Sequence, residues 1–570
     1  MRMDRLHFLA LFISSAMPFA ALAEPAVIQL DQGWSDDQRA LYRYTSQGTF
    51  LVPSAFLEAL EDGQGGRFMK PENLARYGLV SDGANHAGNP YGWPIGFIVD
   101  ADPNPAGVPQ AGLTCAACHS GQIRHSGQRI QIDGGQSHVD FNAFAADLNK
   151  QIIATSEDPA RRDRFLQRSV LLGYPKERVE RDLELLVQGS RGSIERSEAI
   201  AQGSTLTGYG RLDAVNDIAN AVFTYGLAEP KNAYPGDAPT SFPYLWDIWR
   251  FDWVQYNASA RQPMSRNMIE AMGVGRFQLT DPATGEILPE ETRWKTTLRV
   301  HNLFNLEKTL QKLKPPAWPE SVLGPLDPSR YAAGKDLFAA NCSGCHGVQK
   351  IEGTNEWHVS VIPLDRIGTD PNQAVNFAGR RYDASKLGID RPLSAAEGLH
   401  AVVVPVKRQA YLDAGIAESE WPDYNGFDRK NDFNPSPCGY KARPLTGVWA
   451  TAPFLHNGSV PTIYDMLSEA RPATFLTGGN DIDTNKVGLS PEAPEGATLI
   501  DTAQPGNSNA GHWFTDDQSR PGRIGRALSE DERYALIEYL KGVTPDDYPI
   551  REVKAPAPAP CSDDPDWAAK

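Results

Sequence analysis

Residues 115–119 read Cys115-Ala116-Ala117-Cys118-His119, and residues 342–346 read Cys342-Ser343-Gly344-Cys345-His346. Each is C-x-x-C-H, the sequence that attaches a c-type haem. Two thiols three positions apart reach both vinyl groups of one porphyrin, and the adjacent imidazole falls over the iron as an axial ligand. A thioredoxin-like redox pair calls for a βαβ pattern and has no use for the following His. A shared zinc site would join pairs 227 positions apart (342 − 115), whereas zinc modules are compact. Chance produces two such matches in about one chain in a million of this composition. The reading is two covalent c-type haems on Cys115, Cys118, Cys342 and Cys345, with His119 and His346 as proximal ligands.

The rest of the sequence agrees on compartment. Arg2 and Arg5 precede an apolar stretch, Leu6 to Leu22, that ends at Ala21-Leu22-Ala23. This is the pattern of an export signal cleaved after Ala23, so the expected location is the periplasm or beyond. No later run reaches about 18 uninterrupted apolar residues, so no membrane span is expected in the mature chain. The 570 residues carry 55 Lys+Arg against 71 Asp+Glu, a net charge of −16, which opposes binding to nucleic acid. Of six cysteines, Cys438 and Cys561 remain. In an oxidising compartment they suit a disulfide that closes a loop of about 120 residues.

Fifty Gly and 44 Pro predict many loops around a smaller regular core. The Pro-rich stretch from Lys312 through Pro325 and Pro328 divides the chain into halves with one C-x-x-C-H each. Asp327-Pro328 reads as a helix start, with Tyr331, Leu337 and Phe338 as its apolar face. Ser529 and Glu532 form a capping box for a helix through Lys541. Paired helices around a C-x-x-C-H are how a cytochrome c domain covers its haem. Residues 141–152 and 158–188 have helical periodicity, 121–134 alternate like a hairpin, and 347–438 read as a loop-rich insertion. The expected fold class is mainly α with extensive loops, in two cytochrome c-like haem domains. Its parts are a signal at 1–23, an N-terminal haem domain at 24–325, a C-terminal one at 326–548, and a Pro-rich tail at 549–570.

Several stretches carry a resemblance: Gly112-Leu-Thr-Cys-Ala-Ala-Cys-His119, Asp133-Gly-Gly, Ser241-Phe-Pro-Tyr-Leu-Trp-Asp, Asp252-Trp-Val-Gln-Tyr-Asn, Trp449-Ala-Thr-Ala-Pro-Phe-Leu-His-Asn-Gly-Ser-Val-Pro and Gly506-Asn-Ser-Asn-Ala-Gly-His512. The chain resembles the di-haem cytochromes similar to rubber oxygenase, within the superfamily of bacterial di-haem cytochrome c peroxidases. The resemblance implies a second haem with two His ligands, His346 and His512, and a first haem on His119 with an open or O2-occupied distal face. Peroxidases of the superfamily often place a Met a little over a dozen residues after the Leu-His-Asn-Gly His; here position 470 is Ala and the nearest Met is Met466. His456 reads as structural, and His138 is the competitor for the distal face of the first haem. His86, His125, His301, His358 and His400 are read as ordinary histidines.

Residues 242–256 hold seven aromatics in fifteen positions. Trp246, Trp249, Phe251 and Trp253 are the candidates for an apolar distal pocket or an inter-haem path. The leading expectation is an oxygenase that uses O2 on an apolar unsaturated substrate of fatty acid or polyisoprene type. Glu270 and Gln255 could instead supply the acid–base group of a peroxidase acting on H2O2. The third reading is an electron-transfer cytochrome without catalysis. A small donor cytochrome or cupredoxin is the protein partner expected. Calcium occurs in related folds, but no compact acidic loop here identifies a site.

Overall fold

A computed structural model describes residues 27–550 except 84, 276, 427–437 and 493. The expected signal, nearly all of the tail, and Cys561 lie outside these residues. Cys438 is in a disulfide, whereas Cys115, Cys118, Cys342 and Cys345 are in none.

The expectation of a mainly α chain is corrected. Helices are interleaved with twenty short strands among the described residues, paired in sheets of two or three. Strands this short gain little by themselves; each pins one loop against the helical core. The predicted hairpin is present as Ser120–His125 against Gln128–Asp133, and Val27–Gln29 adds a parallel third strand. It begins immediately after His119, so the first attachment sequence is anchored by a sheet. Asp133, fully buried, holds that sheet to the helix Asp36–Tyr44 by accepting from Arg39 at 2.7 Å and Arg43 at 2.9 Å.

The predicted helices in the first half form as Phe141–Glu157, Pro159–Leu171 and Val179–Ala201. In the second half, the Asp327 carboxylate caps helix Pro328–Asn341, accepting from the N–H groups of Ser329 and Arg330. Ser529 and Glu532 make the capping box of helix Glu530–Gly542. These two helices cross at Gly334, where an added Cβ would stand 1.9 Å from the Ala535 carbonyl oxygen. Only hydrogen fits there. The close crossing brings Phe338 within 5.0 Å of Tyr539, ring centre to ring centre.

The insertion at 347–438 is more regular than expected. It contains helix Ala395–Asp413, 19 residues with a capping box at Ser394 and Glu397. Pro405 sits inside this helix and disguises it in the sequence, because Pro removes one backbone donor and normally ends a helix. Leu399, Val402, Val403 and Val406 bury its inner face, which outweighs the lost bond. The Pro-rich stretch is likewise packed rather than free. Trp318 meets Trp449 edge-on at 5.2 Å, and the Trp449 indole donates to the Pro316 carbonyl at 3.0 Å. One apolar core therefore runs from Trp34 to Tyr548, through both halves.

Candidate haem sites

Both C-x-x-C-H sequences form a single helical turn, Cys115–Cys118 and Ser343–His346. The Thr114 hydroxyl caps the first turn, accepting from the Ala116 N–H. A helical turn puts residues i and i+3 on one side, so the two thiols of each pair face the same way. That is the donor arrangement a covalently bound porphyrin needs.

Around His346 the geometry fits an iron with two imidazole ligands. The His346 and His512 rings stand 6.3 Å apart, centre to centre, with planes inclined by 37°. Two nitrogen–metal bonds of about 2 Å, plus the distance from each nitrogen to its ring centre, sum to about 6 Å. The Nδ1 of His346 lies 2.7 Å from the Arg443 carbonyl, which turns Nε2 toward His512. His512 Nδ1 is buried with no hydrogen-bond partner. Burial lowers the His512 pKa to about 3, with His346 adding to the effect, so the ring is neutral and fit to ligate.

His512 is held there with a strained backbone, kept in place by packing against the Ile367–Thr369 segment. Its φ is 54°, a left-handed value costly for a side chain with a Cβ. Gly511 beside it has φ 83°, and a Cβ on it would stand 2.5 Å from the Ile367 carbonyl oxygen. Asn509, from the same Asn-Ala-Gly-His element, donates to the Pro472 carbonyl at 2.9 Å. The remainder of this cavity is mostly apolar, with Phe338, Leu536 and Leu540 from the crossing helices. Met466 and His456 also line it. His456 stacks on Tyr440 at 4.0 Å, and burial pushes its pKa down to about 3.

Around His119 the surroundings differ from those expected. Trp246, Trp249, Phe251 and Trp253 do not line the pocket beside this ring. Trp246 is fully buried, stacked on Tyr244 at 4.5 Å, and donates to the Thr446 carbonyl. Trp249 lies under the Arg250 guanidinium, Phe251 packs beside Trp357, and Trp253 lies under Arg261. The stretch is a packing element joining the halves, which is what seven rings without a clean period achieve.

The pocket beside His119 mixes apolar residues, Leu245, Ile248 and Leu310 among them, with the polar side chains of Gln255, Arg266, Glu270, Lys441 and Arg443. Glu270 and Arg266 come from helix Pro263–Val274. Gln255 comes from the loop after the aromatic stretch and has a left-handed φ of 65°. Its amide donates to Glu270 Oε1 at 3.1 Å. Burial raises the Glu270 carboxyl above its ordinary value, opposed by Arg266 and by the Gln255 bond. Burial likewise lowers His119 to about 4, with the Pro243 carbonyl pulling the other way. The pocket thus holds a neutral imidazole and a carboxyl whose burial favours its protonated form.

The insertion helix supports this wall: Lys407 donates to Gln262 at 2.8 Å and to Ser265 at 3.1 Å, at the start of the helix that carries Glu270. The other histidines are engaged elsewhere. His138 Nε2 lies 3.1 Å from the Ala452 carbonyl, and His138 is absent from the lining of the His119 pocket. His358 pairs with Asp252 at 2.7 Å, His301 contacts Tyr424, and His86 stacks on Tyr44.

The fold and these donors define a cytochrome c-like protein that binds haem c. A family model described as RoxA-like, cytochrome c-like matches residues 439–476, from strand Gly439–Ala442 through helix Ile463–Met466. That family is one of haem oxidoreductases. The protein y4iJ of Sinorhizobium fredii (strain NBRC 101917 / NGR234) is 37% identical over 567 residues, covering 90% of this chain and 93% of its own. The chain belongs to the same family as y4iJ. A second protein of that strain, y4iM, is 26% identical over 323 residues, which cover 53% of this chain and 64% of y4iM. No helix among the described residues is long and apolar enough to cross a membrane.

Proposed function

We propose that this is an exported di-haem enzyme that reduces hydrogen peroxide at the His119 haem, with electrons entering through a His346/His512 haem. The observation that carries the reading is the Glu270–Gln255 pair in the pocket beside His119. Reduction of H2O2 consumes two electrons and two protons and releases two molecules of water. The bound haem would supply the electrons at the O–O bond. The protein must then move a proton from one peroxide oxygen to the other. Glu270 suits that task because burial raises its carboxyl above the ordinary value, so it takes up a proton more readily than an exposed carboxylate and can pass it on. Gln255 orients the carboxyl by donating to Oε1.

The acid limb of the pH–rate profile should therefore lie above the ordinary carboxylate range. Turnover needs the ionised carboxylate, which burial makes scarce at low pH, so activity should rise with pH through a raised pKa. A steady-state profile in H2O2 with a reduced small cytochrome as donor tests this; a limb at the ordinary Glu value would count against Glu270.

A second reading, dioxygenation of an apolar unsaturated substrate with O2, is supported by the RoxA-like match and by His512 in its Asn-Ala-Gly-His element. Oxygen uptake with an unsaturated fatty acid or polyisoprene, without added reductant, separates it from the first. Ligation is tested apart from turnover. His512→Ala should convert one low-spin ferric signal in the EPR spectrum to high-spin, since the facing imidazole is removed. An unchanged spectrum would take His512 out of the axial position.

A further inference from the structure

The two cavities share a wall. Pro243, Tyr256, Lys441 and Arg443 border both of them. Two of the four are cations, and both are buried, Lys441 at 7% exposure and Arg443 at 6%. They stand two positions apart at the end of strand Gly439–Ala442, so an extended backbone points them the same way.

Neither cation has an acidic partner bonded to it among the described residues. The Lys441 ammonium donates to the Trp253 carbonyl at 3.2 Å, and Arg443 donates to the Tyr244 carbonyl. Arg443 Nε is buried without a hydrogen-bond partner. The acidic groups that act on them are engaged elsewhere: Asp252 with His358 at 2.7 Å, and Asp247 with Arg250 at 3.0 Å. Buried cations are retained where anions meet them, because an unpaired buried charge is costly. Their position on both cavity walls indicates that the anions arrive with what fills the cavities.

We propose that Lys441 and Arg443 are shared counter-ions for the carboxylates of the porphyrins attached at Cys115–His119 and Cys342–His346. A haem carries two propionate carboxylates on one edge, and an Arg fork binds such a group in bidentate fashion. Burial, with Arg443 and Arg266 adding to it, pushes the Lys441 ammonium well below its ordinary value; a carboxylate alongside reverses that pressure. With one pair of cations serving both porphyrins, a change of charge at either iron is felt at the other. The inference rests on two haems being attached but not on the reaction assigned to either.

Spectroelectrochemical titration of the holoprotein tests it. Lys441→Met should lower both midpoint potentials, because loss of a cation favours the oxidised, more positive iron at each site. Lys441→Arg, which keeps the charge, should hold both near the wild-type values and shift the propionate-bending band in the resonance Raman spectrum. If the Met variant does not fold, the Arg variant alone decides: an unmoved band overturns the contact. Two attached haems with only one potential moved, or neither, would overturn the shared role. A wild-type protein with fewer than two haems by pyridine haemochrome and mass would instead remove the two-haem reading.

Discussion

If the protein reduces H2O2 at a haem on His119, Glu270→Gln should lower the turnover rate by about 10²- to 10⁴-fold and leave the haem content of the wild type unchanged. The substitution keeps the shape of the side chain and an oxygen for the Gln255 amide, which donates to Glu270 at 3.1 Å in the wild type. What it removes is the group that can take up a proton and give it back. The loss should fall on kcat, with KM for peroxide little changed, since binding needs no titrating group. The acid limb of the pH profile should vanish with it. Stopped-flow mixing with H2O2 and steady-state assays with a reduced donor cytochrome read both quantities. Unchanged peroxide turnover would remove Glu270 from the chemistry. If the same variant still took up O2 with an unsaturated substrate, the oxygenase reading would take its place.

Gly334→Ala destabilises the C-terminal half by about 1–3 kcal/mol, and Gly334→Val by more. The added methyl would meet the Ala535 carbonyl oxygen at 1.9 Å and its carbon at 2.6 Å, both of them backbone atoms that no side-chain rotation can clear. Helix Pro328–Asn341 must then move away from helix Glu530–Gly542, which loosens the contact of Phe338 with Tyr539. Phe338, Leu536 and Leu540 also line the His346 cavity, so the Soret band of that haem should be lost at a lower temperature than in the wild type. Gly344→Ala is the control. It lies inside the second attachment sequence, yet an added Cβ there meets nothing within 4 Å. Equal melting of Gly334→Ala and the wild type would show that the crossing is not as close as described.

Much of the scaffold was readable because the signals are local. Asp327-Pro328 and the Ser529/Glu532 capping box announce their helices through backbone donors that need partners within three residues. The hairpin at 120–133 shows in its alternation. Helix Ala395–Asp413 lies in the segment read as loop-rich: Pro405 interrupts it, although a capping box at Ser394 and apolar spacing at 399, 402, 403 and 406 mark it. Those signals were available; burial of that face against the core is what makes them win over the proline. The aromatic stretch was misplaced for another reason. Ring content says how much surface must be buried, not which cavity it faces; Trp246, Trp249, Phe251 and Trp253 pack outside the His119 pocket, which Tyr256 alone of the seven rings borders.

The two C-x-x-C-H sequences and the helix caps were legible from spacing within a few residues, because covalent reach and backbone hydrogen bonding act over that range. Glu270 and Gln255 were candidates in the sequence, but that they share a wall beside His119 with Lys441 and Arg443 came only from the folded chain. Gln255, Glu270, Lys441 and Arg443 lie up to 188 positions apart (443 − 255) and meet through three separate elements. His512, which the family resemblance had paired with His346, lies 166 positions from it (512 − 346), and the fold sets the two rings 6.3 Å apart. Its strained backbone is held by packing against the Ile367–Thr369 segment. Charge and ligation in these sites are long-range contacts, and no local rule of the chain encodes which distant side chains will share a cavity.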